Sequence, residues 1–535
     1  MGLSLASLFT GVVTSEAQAA QPVAGLIVKF KDAPATEQAA TVSTVTRTLE
    51  ANHRMRRVLQ AARLSEARMR PTGRSAQHLS FGRALSRVDA EQMAAQLRAQ
   101  PEVEWVVPNE RERRLDVPND PLYGAGGSGG QWWLHARSSS PADAALPGFE
   151  TAWLTETGQA SAVVAVLDTG VTAHSELSGR LLPGYDFVSE VEYANDGDGR
   201  DADPSDPGDW VDATDLARPE FAGCNEQDSS WHGTIIAGML AAATNNQLGV
   251  AAINWNGRVL PVRVAGKCGA TVADIVDGMR WAAGLHVDGA PDNTNPARVI
   301  NISFGGSAAC NRAYQDAIDE LAAVGVVVVA AAGNEAGAPT RPASCNGVVG
   351  VAGLRRDGLK AYYSNFGPQI AVSTVSGDPA ADDGLLTLWN DGPRAPLSEN
   401  YANVYGTSFA SPIVAGIAGL MLSANPSLTV AQVIDGLRAS ARPHVVVAGL
   451  PVCSAIQSSE CLCTTSICGA GMADAVGALQ YALNPPPPAP VASAPEPSSG
   501  GGALGGLWLA GFALAVGVLA MGSPRRATRH ASLRH

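Results

Sequence analysis

The chain has 535 residues, of which 46% are hydrophobic and 16% charged, so it can bury a large core and is not a globally disordered polypeptide. Gly 57 and Pro 34 argue for many tight turns and linkers rather than a coiled coil or a helical bundle. A formal charge of −13 excludes a nucleic-acid binder that works by neutralising phosphates.

Residues 1–20 run through Leu3, Leu5, Leu8, Phe9, Val12 and Val13 to Ala17-Gln18-Ala19-Ala20, the apolar stretch and small-residue end of a signal peptide. No Lys or Arg precedes the stretch, so the true start is expected upstream. Residues 21–114 carry 16 Lys/Arg and 10 Asp/Glu, a net of +6, and residues 115–499 carry 17 and 39, a net of −22. Opposite charge predicts two modules that attract each other. The front module reads as compact α+β: strand Gly25–Phe30, helix Ala90–Gln100, strand Val103–Val107, then the charged run 110–114.

From residue 115 the pattern alternates. Val163–Leu167, Val259–Val264, Val299–Ser303 and Val326–Ala331 are continuous apolar runs, suited to strands buried on both faces of a parallel sheet. Helices are predicted at Gly233–Ala243, Val272–Ala283, Ala313–Val324, Phe409–Leu422 and Val430–Ser440, the last with Thr429 and Gln432 placed as a capping box. Strand–helix alternation over about 300 residues predicts a doubly wound α/β domain with helices on both faces. Residues 485–502 form a Pro/Ser/Gly linker. The nearly uncharged run 503–522 is long enough for one transmembrane helix. Arg525, Arg526 and Arg529 then place residues 523–535 in the cytoplasm and everything before the helix outside. Eight cysteines suit an exported chain. Among the four packed between Cys453 and Cys468 neither a CxxC pair nor a nearby His supports zinc.

Four short segments carry chemistry. Asp168-Thr169-Gly170 ends a predicted parallel strand, where α/β sheets build their sites. His232-Gly233-Thr234 opens an apolar helix. Gly333-Asn334 closes another strand, and Gly406-Thr407-Ser408-Phe409-Ala410-Ser411-Pro412 starts a long apolar helix. Singly they read as a turn, a structural His, a turn and a Ser N-cap. The loop 195–209 spaces carboxylates with glycine, which suits a calcium-binding turn with Asp196, Asp198, Asp203 and Asp206 as ligands, or else a solvated acidic loop. His174, six residues after Asp168, is not assigned a catalytic role.

Taken together in the order Asp, His, Asn, Ser, these segments resemble the subtilisin-like (S8) serine proteases, over about residues 120–480. Pro118-Asn119-Asp120-Pro121-Leu122-Tyr123, Gln131-Trp132 and Cys468-Gly469-Ala470-Gly471 resemble the ends of the catalytic domain in secreted proteases of Gram-negative bacteria. The resemblance implies a serine endopeptidase with Asp168, His232 and Ser408 as catalytic residues and Asn334 as oxyanion donor. It implies substrate binding by Ser303, Phe304, Gly305, Ala331, Ala332 and Gly333, with Ser-Phe-Gly standing where many relatives have Ser-Leu-Gly or Ser-Trp-Gly. No acidic residue is assignable to the P1 pocket, so a broad small or hydrophobic preference is implied. Structural Ca²⁺, no organic cofactor, protein substrates, no nucleic-acid partner and a monomer follow from the same likeness. Residues 21–114 resemble an inhibitory, self-cleaved propeptide preceding a catalytic domain at 115–484. Disulfides Cys224–Cys268, Cys310–Cys345, Cys453–Cys461 and Cys463–Cys468 rest on neighbourhood and on this resemblance. The tail from Gly500 resembles a GlyGly-CTERM sorting signal, which implies signal peptidase and a rhomboid-type protease as processing partners at a membrane. The alternatives are a membrane-anchored processing protease with a narrow substrate, and a catalytically silent surface binding protein.

Overall fold

Short antiparallel strands with one apolar face build the first part of the chain. The computed structural model describes residues 23–486 except 32–43, 65, 73–75, 84, 110–116, 125–129, 382–383 and 455–459. Strands β1 (Leu26–Phe30), β2 (Arg68–Thr72), β3 (Ala76–Ser80) and β4 (Val103–Pro108) form a sheet in the order β2-β3-β1-β4, with β1 antiparallel to both neighbours. Alternation in β1 turns Leu26, Val28 and Phe30 inward. They meet Met55, Val58 and Leu59 of helix α1 (Thr44–Ala61) and Ala90, Ala94 and Leu97 of α2 (Arg87–Arg98). Ser86 caps α2 by accepting the Asp89 N–H. The expected β1, α2 and β4 are present. Helix α1 and the β2–β3 hairpin were not anticipated.

The second sheet has seven strands in the order β11-β10-β9-β8-β5-β7-β6: β5 (Val164–Asp168), β6 (Tyr185–Asp186), β7 (Val259–Arg263), β8 (Val299–Ile302), β9 (Val327–Ala331), β10 (Val349–Leu354) and β11 (Ile370–Val375). All its pairings are parallel. Alternate residues of β5 serve two cores: Val164 and Val166 join one cluster, Ala165 and Leu167 the other. Helix α3 (His232–Ala241) and α6 (Thr407–Ala424) pack on the first face. Helices α4 (Val272–Ala282) and α5 (Arg312–Ala323) pack on the second. Helix α7 (Val430–Ala439) carries the expected Thr429/Gln432 capping box. Helix α8 (Ala475–Leu483) and a hairpin of β12 (Leu385–Asn390) and β13 (Glu399–Val404) complete the first face. Strand order reverses beside β5, the chain's first strand in this sheet, and a doubly wound sheet opens its crevice at such a switch point.

All four disulfides join the expected partners, with Cα–Cα separations of 5.6, 5.0, 4.9 and 5.5 Å in chain order. Among the described residues, the helix long and apolar enough to cross a membrane is Thr407–Ala424, and 83% of it is buried inside the protein. It is a core helix. The expected signal peptide, the charged run 110–114, most of the linker and the apolar run 503–522 lie outside the described residues.

Candidate active site

Asp168 is the last residue of β5, at its carboxyl end, and its side chain is buried. Its Oδ1 accepts from the Thr169 N–H at 2.9 Å and lies 2.8 Å from His232 Nδ1. Oδ2 is buried without a hydrogen bond among the described residues, so the imidazole is the principal partner of this charge. His232 begins α3. Gly233 follows because a β-carbon there would sit 2.1 Å from the Gly170 carbonyl oxygen, so only glycine lets the helix start press against the Asp168 turn. Trp231, just before, holds φ 51 and is fully buried, with its indole N–H donating to the Gly392 carbonyl at 2.7 Å. A bulky residue in the left-handed region marks backbone held in place by its surroundings.

Ser408 sits in the first turn of α6, an 18-residue helix whose flank is almost wholly buried. Gly406 precedes it at φ 142, a conformation that a side chain resists. Three buried polar residues fix this turn. Ser411 Oγ donates to Asn301 Oδ1 at 2.6 Å, Asn301 Nδ2 donates to Ser303 Oγ at 2.7 Å, and Ser303 Oγ donates to the Ser408 carbonyl at 2.8 Å. On the other side Asn334 Oδ1 accepts from both the Thr407 N–H and the Thr407 hydroxyl at 2.9 Å. That fixes the amide orientation and leaves Nδ2 as a donor, 3.7 Å from where a Gly406 β-carbon would be.

Asp168, His232, Asn334 and Ser408 all line one cleft of about 630 Å³. The His232 ring is 21% exposed and stands 5.7 Å from the Phe409 ring, next to Ser408. Burial lowers the imidazole pKa, but the charge and hydrogen bond of Asp168, with Asp209 and Asp206 behind them, outweigh burial and hold it above the ordinary histidine value. Asp209 is itself buried and accepts from the Ser230 N–H and hydroxyl at 2.6 and 2.8 Å.

Ser303, Phe304, Gly305, Ala331 and Gly333 also line the cleft. Ala332 does not: it is fully buried, its N–H donates to Val351, and its carbonyl accepts from Thr340 and Asn365. The backbone groups expected to pair with substrate are thus already used at this position. Ser303 reaches the cleft, but its hydroxyl holds Ser408.

The carboxylate loop takes its visible contacts from other parts of the protein. Asp196 accepts from Arg263 Nη1 at 2.5 Å, and Asp198 and Asp203 are exposed. Asp206 is buried beneath the Asp168 turn, where Oδ2 accepts from Thr169 Oγ1 at 2.6 Å. Burial pushes its carboxyl up to about 7. The four expected calcium ligands therefore do not converge, and among the described residues no three His, Cys, Asp or Glu side chains are arranged to hold a metal ion. Positively charged Arg263 and Arg200 brace the loop instead, Arg200 by reaching Asp274 at 2.7 Å. Asp206 has another job. The Thr169 hydroxyl that donates to it also accepts the Gly233 N–H at 3.1 Å, tying the Asp168 turn to the start of the His232 helix. His174 caps a short turn through Nδ1, as a structural residue would. Asn301, Ser411, Thr407, Asp206 and Asp209 were not anticipated in these positions. Only the unusual Asn inside the apolar run Val299–Ser303 hinted at one of them.

The model of the Subtilase family (Peptidase S8) matches residues 159–471. An extracellular protease of Xanthomonas campestris is 40% identical over 406 residues, covering 75% of this chain and 63% of the relative. An extracellular basic protease of Dichelobacter nodosus is 36% identical over 405 residues, again covering 75% of this chain and 63% of the relative. This chain thus spans somewhat less than two thirds of these relatives. A solved protease structure from Pseudoalteromonas arctica PAMC 21717 superposes with a TM-score of 0.60 at 42% identity, covering 69% of this chain and 100% of that one.

Proposed function

We propose that this chain, which belongs to the subtilase family, is an exported serine endopeptidase that cleaves proteins through an acyl-enzyme. One observation carries the reading: a buried carboxylate 2.8 Å from an imidazole whose cleft also holds a serine at the N-terminus of a buried helix. A serine hydroxyl is a weak nucleophile until a base takes its proton. His232 is that base, and it later returns the proton to the leaving amine. Asp168 fixes the Nδ1–H tautomer and stabilises the imidazolium. The tetrahedral oxyanion meets the Asn334 Nδ2 and the Ser408 N–H, whose position in the first helical turn leaves it without an intrahelical acceptor. Gly305 and Ala331, on the two cleft walls, offer backbone for an extended substrate to pair with. Export is supported by the extracellular relatives.

The front unit, with its own sheet and core, acts as an intramolecular inhibitor removed by self-cleavage within 111–118. The tail from Gly500 is a removable membrane anchor, cut by a rhomboid-type protease. Casein hydrolysis by the purified protein, abolished by a fluorophosphonate, is the expected result; an inert purified protein instead points to a silent binding scaffold. Ser408→Ala accumulates as uncut precursor in a purified system, and maturation of that variant there contradicts self-processing.

A further inference from the structure

The cleft is lined by three carboxylates and, among the described residues, a single Lys or Arg, Arg341. Each carboxylate has a partner: Asp168 has His232, Asp209 has Ser230, and Glu335 accepts from Asn365 Nδ2 at 2.6 Å. Arg341 has none for its side chain among the described residues. In comparable half-buried settings Arg200 is paired with Asp274 and Asp277, and Arg356 with Asp143. The Arg341 guanidinium stands against Gly306, at the end of the Ser303–Gly306 wall. A β-carbon at Gly306 would be 3.1 Å from Nε and 3.3 Å from Nη2. Backbone bonds between Gly306 and Arg341, 3.1 Å in each direction, lock that placement.

Beside it, Tyr314 of α5 lines the same cleft with its ring buried, and its hydroxyl has no hydrogen bond among the described residues. Burial pushes that hydroxyl up to about 12, the Arg341 charge opposing, so at neutral pH it remains a donor. The segments carrying the two residues are cross-braced by the Cys310–Cys345 disulfide and by paired bonds between Gln315 and Asn346 at 3.0 and 3.1 Å.

Resting on the endopeptidase reading, we propose that Arg341 and Tyr314 form a subsite that selects an aspartate or glutamate side chain at one fixed distance from the scissile bond. A substrate strand laid along Ser303–Gly306 brings one of its side chains over Gly306, where a guanidinium fork and a phenol O–H both donate. A carboxylate satisfies both, whereas a lysine or arginine meets like charge. Bracing keeps the donors in place before substrate arrives, so little ordering is lost on binding.

The test is cut-site sequencing after digesting a peptide library with the mature enzyme. The wild type is expected to show Asp and Glu enriched at one position, about tenfold over Asn and Gln, the scale of a charge-assisted hydrogen bond. Arg341→Glu shifts that position to Lys and Arg, Arg341→Lys keeps part of the acidic preference, and Tyr314→Phe weakens it. Cleavage by the wild type without acidic enrichment at any position overturns the subsite while leaving the peptidase reading intact, and needs no variant to fold. An unchanged acidic profile in Arg341→Glu overturns it as well. No fluorophosphonate-sensitive cleavage at all removes both.

Discussion

The front α+β unit and the α/β body reach burial by opposite routes. In β1 the pattern alternates, buried with half-buried, and β2 is largely exposed. In β5, β7 and β9 every residue is buried. The front core contains residues between Val23 and Val106 only, and the two body cores contain residues from Tyr123 onward. All four disulfides are in the body. One unit is therefore small, unbraced and basic, and the other is large, cross-linked and acidic. A four-stranded sheet against two helices folds around one small core. A device meant to hold an imidazole and a serine in register needs a sheet clamped on both faces.

That contrast can be sharpened by experiment. Asn334→Ala strikes the body's chemistry without touching either core, since Asn334 is exposed. A fall of about 10²–10³ in kcat with little change in KM is expected, the scale of the corresponding loss in subtilisin; a change confined to KM contradicts the oxyanion role. Leu79→Ala strikes the front core, where Leu79 is fully buried opposite Leu26. In the Ser408→Ala precursor it is expected to cost about 2–5 kcal/mol in a front-unit transition. The body's transition should stay where it was. A single joint shift breaks the claim of independent cores. The mildest change is Asp209→Asn, which keeps the Ser230 contacts in shape and removes one charge behind His232. His232 must be neutral to act as base, so activity is lost as pH falls through its raised pKa. Removing the Asp209 charge lowers that pKa, and the acidic limb of kcat/KM moves to lower pH. An unmoved limb shows that Asp168 alone sets the base.

The same contrast explains what the sequence disclosed. Continuous β-branched apolar runs such as Val163–Leu167, bounded by Gly or Asp, suit strands buried on both faces of a sheet, so the body's central strands were legible. His232-Gly233-Thr234 and the segment around Ser408 were legible because rare residue combinations carry them. Helix Thr44–Ala61 is rich in Thr and Arg, and β2 contains Arg68, Arg70 and Pro71, so neither announces itself by periodicity. In the outer strand β13 only Val404 of six residues is buried. The contacts of the acidic loop were hidden for a different reason: the partners come from far along the chain, Arg263 from β7 for Asp196 and Thr169 for Asp206. Asn301 and Ser411 likewise acquire their meaning only when β8 and α6 meet.

Incubating the purified protein with a fluorophosphonate and mapping the adduct by peptide mass spectrometry asks whether Ser408, activated by His232, is the one nucleophile. A single stoichiometric adduct on Ser408 is expected, formed in parallel with loss of activity and suppressed in His232→Ala. An unlabelled protein that still cleaves peptides, or an adduct on any other serine, would contradict it.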